Sequence, residues 1–233
     1  YEHFGLKALH SLSHSLSKDR PDVVHAHLGG IQASMPWAML HSKKAIVTLH
    51  STMPAALNGT ALRLVKAAGK NKVQLVAVST NNLIQAQSYL GAEFPNMIAI
   101  NNGVTIEDYY QCDLRSAPRF INVATQDDNK NQALIIDAFK KLQVHTPDAR
   151  LVLVGDGPRH NKLIEMAQGN DAISIVGSSD RVPELLSEAN VYVQSSNREG
   201  MPLAILEALA SGMPVISTNV GGISDVVNPH CSV

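Results

Sequence analysis

Short runs rich in Val, Ile, Leu and Ala recur along the chain, and each is followed by a stretch with helical spacing. This alternation constrains the fold more than any other feature. Apolar runs too short for helices, and lacking a polar alternate, suit strands buried on both faces. Strands separated by helical segments suit parallel sheets with crossover helices. Strands are predicted at 23–27, 45–50, 73–79, 97–101, 120–124, 151–155, 173–177, 191–195 and 215–218. Helices are predicted at 4–17, 31–42, 60–69, 80–90, 131–146, 159–168, 182–188, 202–211 and 222–228. In segment 131–146, Ala133, Ile136, Ala138, Phe139 and Leu142 are spaced to form one buried face. Aromatic residues make up only 4% of the chain, so aliphatic side chains must build the core.

The polar, turn-rich stretch between Asn102 and Pro118 separates two strand–helix series. A linker is predicted near 105–117, with domains at 1–112 and 113–233. The chain opens on a helical pattern, whereas a doubly wound domain opens on a strand and a glycine-rich turn. It stops shortly after the last predicted helix. We therefore expect a piece of a longer protein, lacking elements at both ends.

Charge is uneven. Residues 1–115 carry ten Lys or Arg against seven Asp or Glu, a balance of +3; residues 116–233 carry nine against thirteen, a balance of −4. A basic first half suits a solvated surface, and it also suits an anionic membrane surface or phosphorylated acceptor. It falls far short of a nucleic-acid footprint. Two distant cysteines, Cys112 and Cys231, form neither a disulfide framework nor a zinc spacing, so a reducing cytoplasmic setting is expected. No apolar run reaches membrane-spanning length, which leaves peripheral contact with the inner membrane face open.

The most informative block is residues 197–217, NREGMPLAILEALASGMPVIS. Seven residues separate Glu199 from Glu207. Gly200 lets backbone approach a ligand, and Pro202 suits a first helical turn. Free amides near Met201 and Leu203 would face an anion with the positive end of the helix dipole. Gly212 and Pro214 end the helix. Alone, two such carboxylates also fit a solvated surface helix. The block resembles glycosyltransferase family 4, of the GT-B class, whose signature is E-G-x-P-x-x-x-x-E-A-x-A-x-G-x-P-V-I. The match runs through Glu199, Gly200, Pro202, Glu207, Ala208, Ala210, Gly212, Pro214, Val215 and Ile216.

That resemblance implies an α/β fold of two Rossmann-like, doubly wound domains, the second holding a UDP-, GDP- or ADP-sugar. It implies transfer of a hexose, with retention, to a glycan, glycolipid or surface-polysaccharide acceptor. Glu199 would contact the donor sugar and Glu207 the ribose. Residues 151–158 resemble the family's V-G-x-G-P turn, although a plain tight turn at Gly155 and Gly157 is an equal reading. His160 stands where a dinucleotide fingerprint wants its third glycine, which disfavours an NAD oxidoreductase. Val176, Gly177 and Ser178 would offer backbone to the base. The 219–227 segment resembles a G-G turn able to present amides to phosphate, and the NNGV at 101–104 resembles the turn ending the first domain. The family's G-R-x-x-x-x-K, which clamps the diphosphate, is matched at Lys130 but has Thr125 in place of its arginine. Asp127 and Asp128 add negative charge nearby, and Arg198 is a candidate replacement cation.

In PDVVHAHLGG (21–30), His25 and His27 share one strand face. His27 is the candidate for sugar or acceptor contact, against a plain strand-end histidine; His50 is a weaker one. No metal and no other cofactor is expected. A second reading is a weakened homologue that binds nucleotide or acts as a partner subunit. A third is a nucleotide-sugar epimerase or phosphorylase, since one scaffold hosts many reactions.

Overall fold

The computed structural model describes residues 6–57, 59–114 and 117–227. These divide into two compact units, 1–101 and 102–233.

The first unit carries β1 (Val23–His27), β2 (Lys44–Leu49), β3 (Val73–Ala77) and β4 (Ile98–Ala99), all parallel, in the order β1-β2-β3-β4. Helix α1 (Leu6–Asp19) precedes β1, and α2 (Gly30–Leu40), α3 (Gly59–Ala68) and α4 (Thr80–Leu90) make the crossovers. The central strands β2 and β3 bury Val47, Leu49, Leu75 and Ala77 almost completely. β1, at the edge, alternates instead: Val24 and Ala26 face the core, while Val23, His25 and His27 face outward. Pro36 lies inside α2. It removes the amide that would donate to the carbonyl of Gln32, an exposed residue.

The second unit carries β5 (Arg119–Val123), β6 (Arg150–Val154), β7 (Ile173–Val176), β8 (Val191–Gln194) and β9 (Val215–Ser217). They form a parallel sheet ordered β7-β6-β5-β8-β9, connected through α5 (Gln132–Gln143), α6 (His160–Ala167), α7 (Val182–Ser187) and α8 (Leu203–Ala210). Chain order reverses at β5, between β6 and β8. In such sheets ligands bind beyond the strand C-termini at this switch point. The loops after β5 and β8 meet there.

All nine predicted strands are present, to within a residue or two at their ends. Three expectations need correction. The helix expected at 222–228 is a 3-10 turn, Gly221–Asp225, held by Gly222 N–H donating to the Gly200 carbonyl (2.7 Å); position 228 lies outside the described residues, as do position 4 of the first helix and Cys231. The buried face of α5 is Gln132, Ile135, Ile136 and Phe139, whereas Ala138 and Leu142 are exposed. The helix is rotated so that Ile135 replaces Ala138 against the sheet. Finally, much of the stretch read as linker packs on the second unit. Asn102 Nδ2 donates to the Met201 carbonyl (2.8 Å), Cys112 N–H to the Ser211 carbonyl (3.0 Å) and Gln111 Nε2 to the Ala210 carbonyl (3.1 Å). Tyr109 and Cys112 join the apolar cluster around Ile205. The division therefore comes at 101/102 and not at 112/113.

Candidate functional site

Two loops make the candidate site in the second unit: 124–131, between β5 and α5, and 195–202, between β8 and α8. Side chain–backbone hydrogen bonds sew them together. Ser195 Oγ donates to the carbonyls of Lys130 or Asn131 (2.9 and 2.8 Å), and Asn197 Nδ2 to that of Asp128 (2.9 Å). Asn129 Nδ2 donates back to the Arg198 carbonyl (3.0 Å), and Asn197 N–H to the Asn129 carbonyl (2.8 Å). Thr218 Oγ1 ties Ser196 from the β9 side (2.7 Å). Short polar side chains thus satisfy carbonyls across the two loops.

This stitching brings Lys130 and Glu199 together. Lys130 Nζ lies 2.7 Å from Glu199 Oε1, and the side chains are only 23% and 7% exposed. Gln194 Nε2 donates to the same oxygen at 2.6 Å. A buried carboxylate is tolerable only with such partners. The two side chains expected in one site thus lie side by side, with Lys130 facing Glu199 itself.

Glu199 lies four residues ahead of the first residue of α8. Pro202 stands at the N-cap, one residue outside the helix and not in its first turn, with extended backbone (φ −71°, ψ 121°), and no side chain caps the helix start. Ile205 N–H donates to the Pro202 carbonyl (3.2 Å), whereas the amides of Leu203 and Ala204 lie at the helix start without an intrahelical acceptor, and the dipole makes this end electropositive. Met201 and Pro202 are buried; Leu203 is exposed. Glu207, in the next turn, is half-buried. Burial holds its carboxyl above the usual carboxylate range, while the Tyr109 phenol against it works the other way. Burial and that carboxylate in turn push Tyr109 up to about 12. Gly212 ends α8 at φ +70°, in the left-handed region open to glycine.

Thr125 is exposed, and its carbonyl accepts from Gln132 Nε2 (3.0 Å). The two neighbouring acids are consumed locally. Asp127 Oδ1 accepts from Lys130 N–H (2.9 Å), and Asp128 is held by both arms of Arg159 (2.6 and 2.8 Å). Arg159 accordingly holds the Asp128 carboxyl below its ordinary range. Arg198 is exposed.

Gly155 and Gly157 have a structural reason. A Cβ on Gly155 would lie 2.0 Å from the Ala124 carbonyl oxygen, and one on Gly157 2.5 Å from that of Gln126. The β6–α6 turn runs against the 124–126 backbone and leaves no room for a side chain. His160 Nδ1 reaches Gln126 Oε1 (2.7 Å) in the same contact. The carbonyls of Val176 and Gly177 both lie within reach of Gly155 N–H (3.1 and 3.2 Å). This leaves the base-binding reading of 176–178 to other groups on that edge. The Gly222 amide, expected for phosphate, is spent on the Gly200 carbonyl.

In the first unit three histidines gather at the C-terminal ends of β1 and β2. His27 Nδ1 lies 2.8 Å from His50 Nε2, and the His25 and His27 rings are 4.2 Å apart. His25 Nε2 is 2.8 Å from Thr48 Oγ1. Desolvation, then repulsion from His25, lowers the pKa of His27; desolvation, then His27 and His25, lowers that of His50. Among the described residues no group of three or more His, Cys, Asp or Glu is placed to hold a metal ion, and no helix is long and apolar enough to cross a membrane.

Sequence reasoning missed Gln194, Tyr192, Tyr109, Asn102 and Arg159. One signal was available: Tyr192 and Gln194 alternate in a buried strand, where a glutamine needs a partner.

Comparison with known proteins adds three findings. A family model described as "Glycosyl transferases group 1" matches residues 115–231, about half of the chain. N-acetyl-alpha-D-glucosaminyl L-malate synthase of Bacillus anthracis is 25% identical across 97% of this chain, and sulfoquinovosyl transferase SQD2 of Arabidopsis thaliana is 25% identical across 91%. The chain spans 64% and 45% of the lengths of these relatives. Among solved structures, Anabaena HepE in complex with UDP-glucose superposes with a TM-score of 0.80 at 18% identity, covering 95% of this chain and 65% of that one. Sucrose-phosphate synthase from Thermosynechococcus elongatus gives 0.77 at 22%, covering 96% and 62%. At such identities the likeness shows the fold: two Rossmann-like units with parallel sheets.

Proposed function

The chain belongs to the glycosyl transferases group 1 family, and from that premise we propose that its second unit seats the donor of a retaining hexosyltransferase. The donor is a nucleoside-diphosphate sugar. One observation carries the reading: a buried, lysine-paired Glu199 in the turn ahead of an uncapped helix start, with seven residues between it and a half-buried Glu207. The diphosphate takes the α8 amides and the Lys130 ammonium, which together offset charge developing on the leaving group. Glu199 accepts hydrogen bonds from the sugar, and Glu207 from the ribose. Gly200 gives backbone room, and Val176 and Gly177 border the base. Transfer is front-face, onto a glycan, glycolipid or surface-polysaccharide acceptor, and His27 is assigned to sugar or acceptor contact. No divalent metal is assigned, since ammonium and helix start supply the positive field. The support is the family, the geometry above, and relatives whose names describe sugar transfer. The test is a thermal-shift panel on the full-length protein with UDP-, GDP- and ADP-sugars, since a ligand that binds the native state raises its melting temperature. At least one donor should stabilise it and be consumed with an acceptor; a flat panel would sink the reading.

Thr125 supports a second reading, a nucleotide-binding homologue with weakened turnover. Loss of one fixed cation beside a departing diphosphate raises a barrier by about 3 kcal/mol. Here Thr125→Arg in the full-length protein should raise turnover, nucleotide affinity or both. If it changes neither quantity, this position is not the defect.

A further inference from the structure

Tyr192 and Gln194 lie two apart in β8, so both side chains share its buried face. Tyr192 is wholly buried, and burial pushes its phenol far above the ordinary range. Its hydroxyl lies 3.0 Å from Gln194 Oε1 and 3.2 Å from the Val123 carbonyl. A neutral phenol has one proton and both neighbours accept, so it is the donor there. With Oε1 so placed, Gln194 turns its amide nitrogen to the other side. One N–H meets Ser196 Oγ (3.2 Å) and the other Glu199 Oε1 (2.6 Å). Lys130 reaches that same oxygen. Among the described residues, Glu199 Oε2 carries no hydrogen bond.

This arrangement is directional. The tyrosine decides which end of the glutamine amide faces the glutamate. The amide and the lysine together occupy one carboxylate oxygen and leave the other open. We infer that Tyr192 and Gln194 are positioning residues, which hold Glu199 from the sheet interior so that Oε2 is presented to the hydroxyls of the donor sugar. Neither needs to touch the substrate. This rests on the donor-site reading above. It adds that sugar recognition, unlike diphosphate binding, depends on two residues inside the sheet.

The test compares the full-length protein with Tyr192→Phe and Gln194→Met by titration calorimetry. The probes are UDP, GDP and ADP, and the glucose adduct of each. Gln194→Met loses the hydrogen bond to the Glu199 carboxylate and Tyr192→Phe the one that orients the Gln194 amide, and each should weaken binding of the sugar nucleotide roughly tenfold. Affinity for the bare diphosphate should change less than about twofold. In a Glu199→Gln background the Tyr192→Phe effect should vanish, since the positioned carboxylate is gone. Tyr192→Phe removes a single oxygen, so it carries the test even if Gln194→Met fails to fold. Equal loss of both ligands, or no loss of either, overturns the positioning role and leaves the donor site standing. Absence of all binding by the unsubstituted protein overturns the donor site and this inference with it.

Discussion

Replacing Lys130 with methionine removes the cation from a carboxylate that has little access to water. Glu199 is 7% exposed at its side chain, and Lys130 shields it while keeping 23% of its own surface exposed. Breaking a buried pair by deleting one partner typically costs 3–5 kcal/mol, because the remaining charge stays buried. Gln194 still donates to Oε1 in the variant, which places the expected cost at the lower end, about 3 kcal/mol. For a unit of this size that lowers the melting temperature by roughly 10 °C. Glu199→Gln alone leaves a lysine that can turn to solvent, and should cost about 1 kcal/mol. The double variant Lys130→Met with Glu199→Gln should recover most of the loss and lie within about 1 kcal/mol of the parent, because no unpaired charge remains. Urea unfolding of the four proteins, followed by circular dichroism, gives the cycle. A Lys130→Met cost under about 1 kcal/mol, or a double variant no more stable than Lys130→Met, would refute the argument that the pair is buried and mutually required.

Other outcomes follow from the same geometry. Gly155→Ala places a Cβ 2.0 Å from the Ala124 carbonyl oxygen at φ +133° and should destabilise the second unit by about 3 kcal/mol or more, whereas Gly177→Ala, with nothing within 4 Å, should leave unfolding unchanged. Tyr109 has a folded pKa raised to about 12 against an ordinary 10, so its contribution to stability is complete below pH 10 and is lost as pH climbs through 12. Ultraviolet titration of the full chain should therefore lose one phenolate signal near pH 12 when Tyr109→Phe is introduced; a signal lost near pH 10 would count against that contact. The lowered pKa values of His27 and His50 run the opposite way: their contribution is present above pH 6.5 and is lost as pH falls below it. Thermal melts from pH 7.5 to 5 should fall less steeply for His27→Gln than for the parent, and parallel curves would show that the pair does not couple to folding.

Strand positions were legible because each apolar run is short and β-branched, and because a parallel sheet buries both faces of its central strands. Glu199 and Glu207 were legible because a glycine, two prolines and a helical run surround them at fixed spacing. What lies between distant segments was not. Nothing local marks Lys130 as the partner of Glu199, since their meeting depends on Ser195, Asn197 and Asn129 stitching two loops. The polarity of the stretch from Asn102 to Pro118 suggested a linker, but Asn102 and Gln111 spend that polarity on the carbonyls of Met201 and Ala210. The acids at 127 and 128 read as added negative charge, while Arg159, one helix later in sequence, neutralises one of them in space. Gly155 and Gly157 looked equally suited to a ligand or a turn. The backbone of 124–126 against them decides for the turn.

Amide hydrogen exchange on the full-length protein tests the donor site most directly, with and without whichever nucleotide sugar raises its melting temperature. Slowed exchange at Gly200, Met201, Leu203 and Ala204, together with the 125–131 loop, is the predicted result, because those amides would face the diphosphate. Saturating ligand with protection confined to the first unit, or none at the start of α8, would contradict the account.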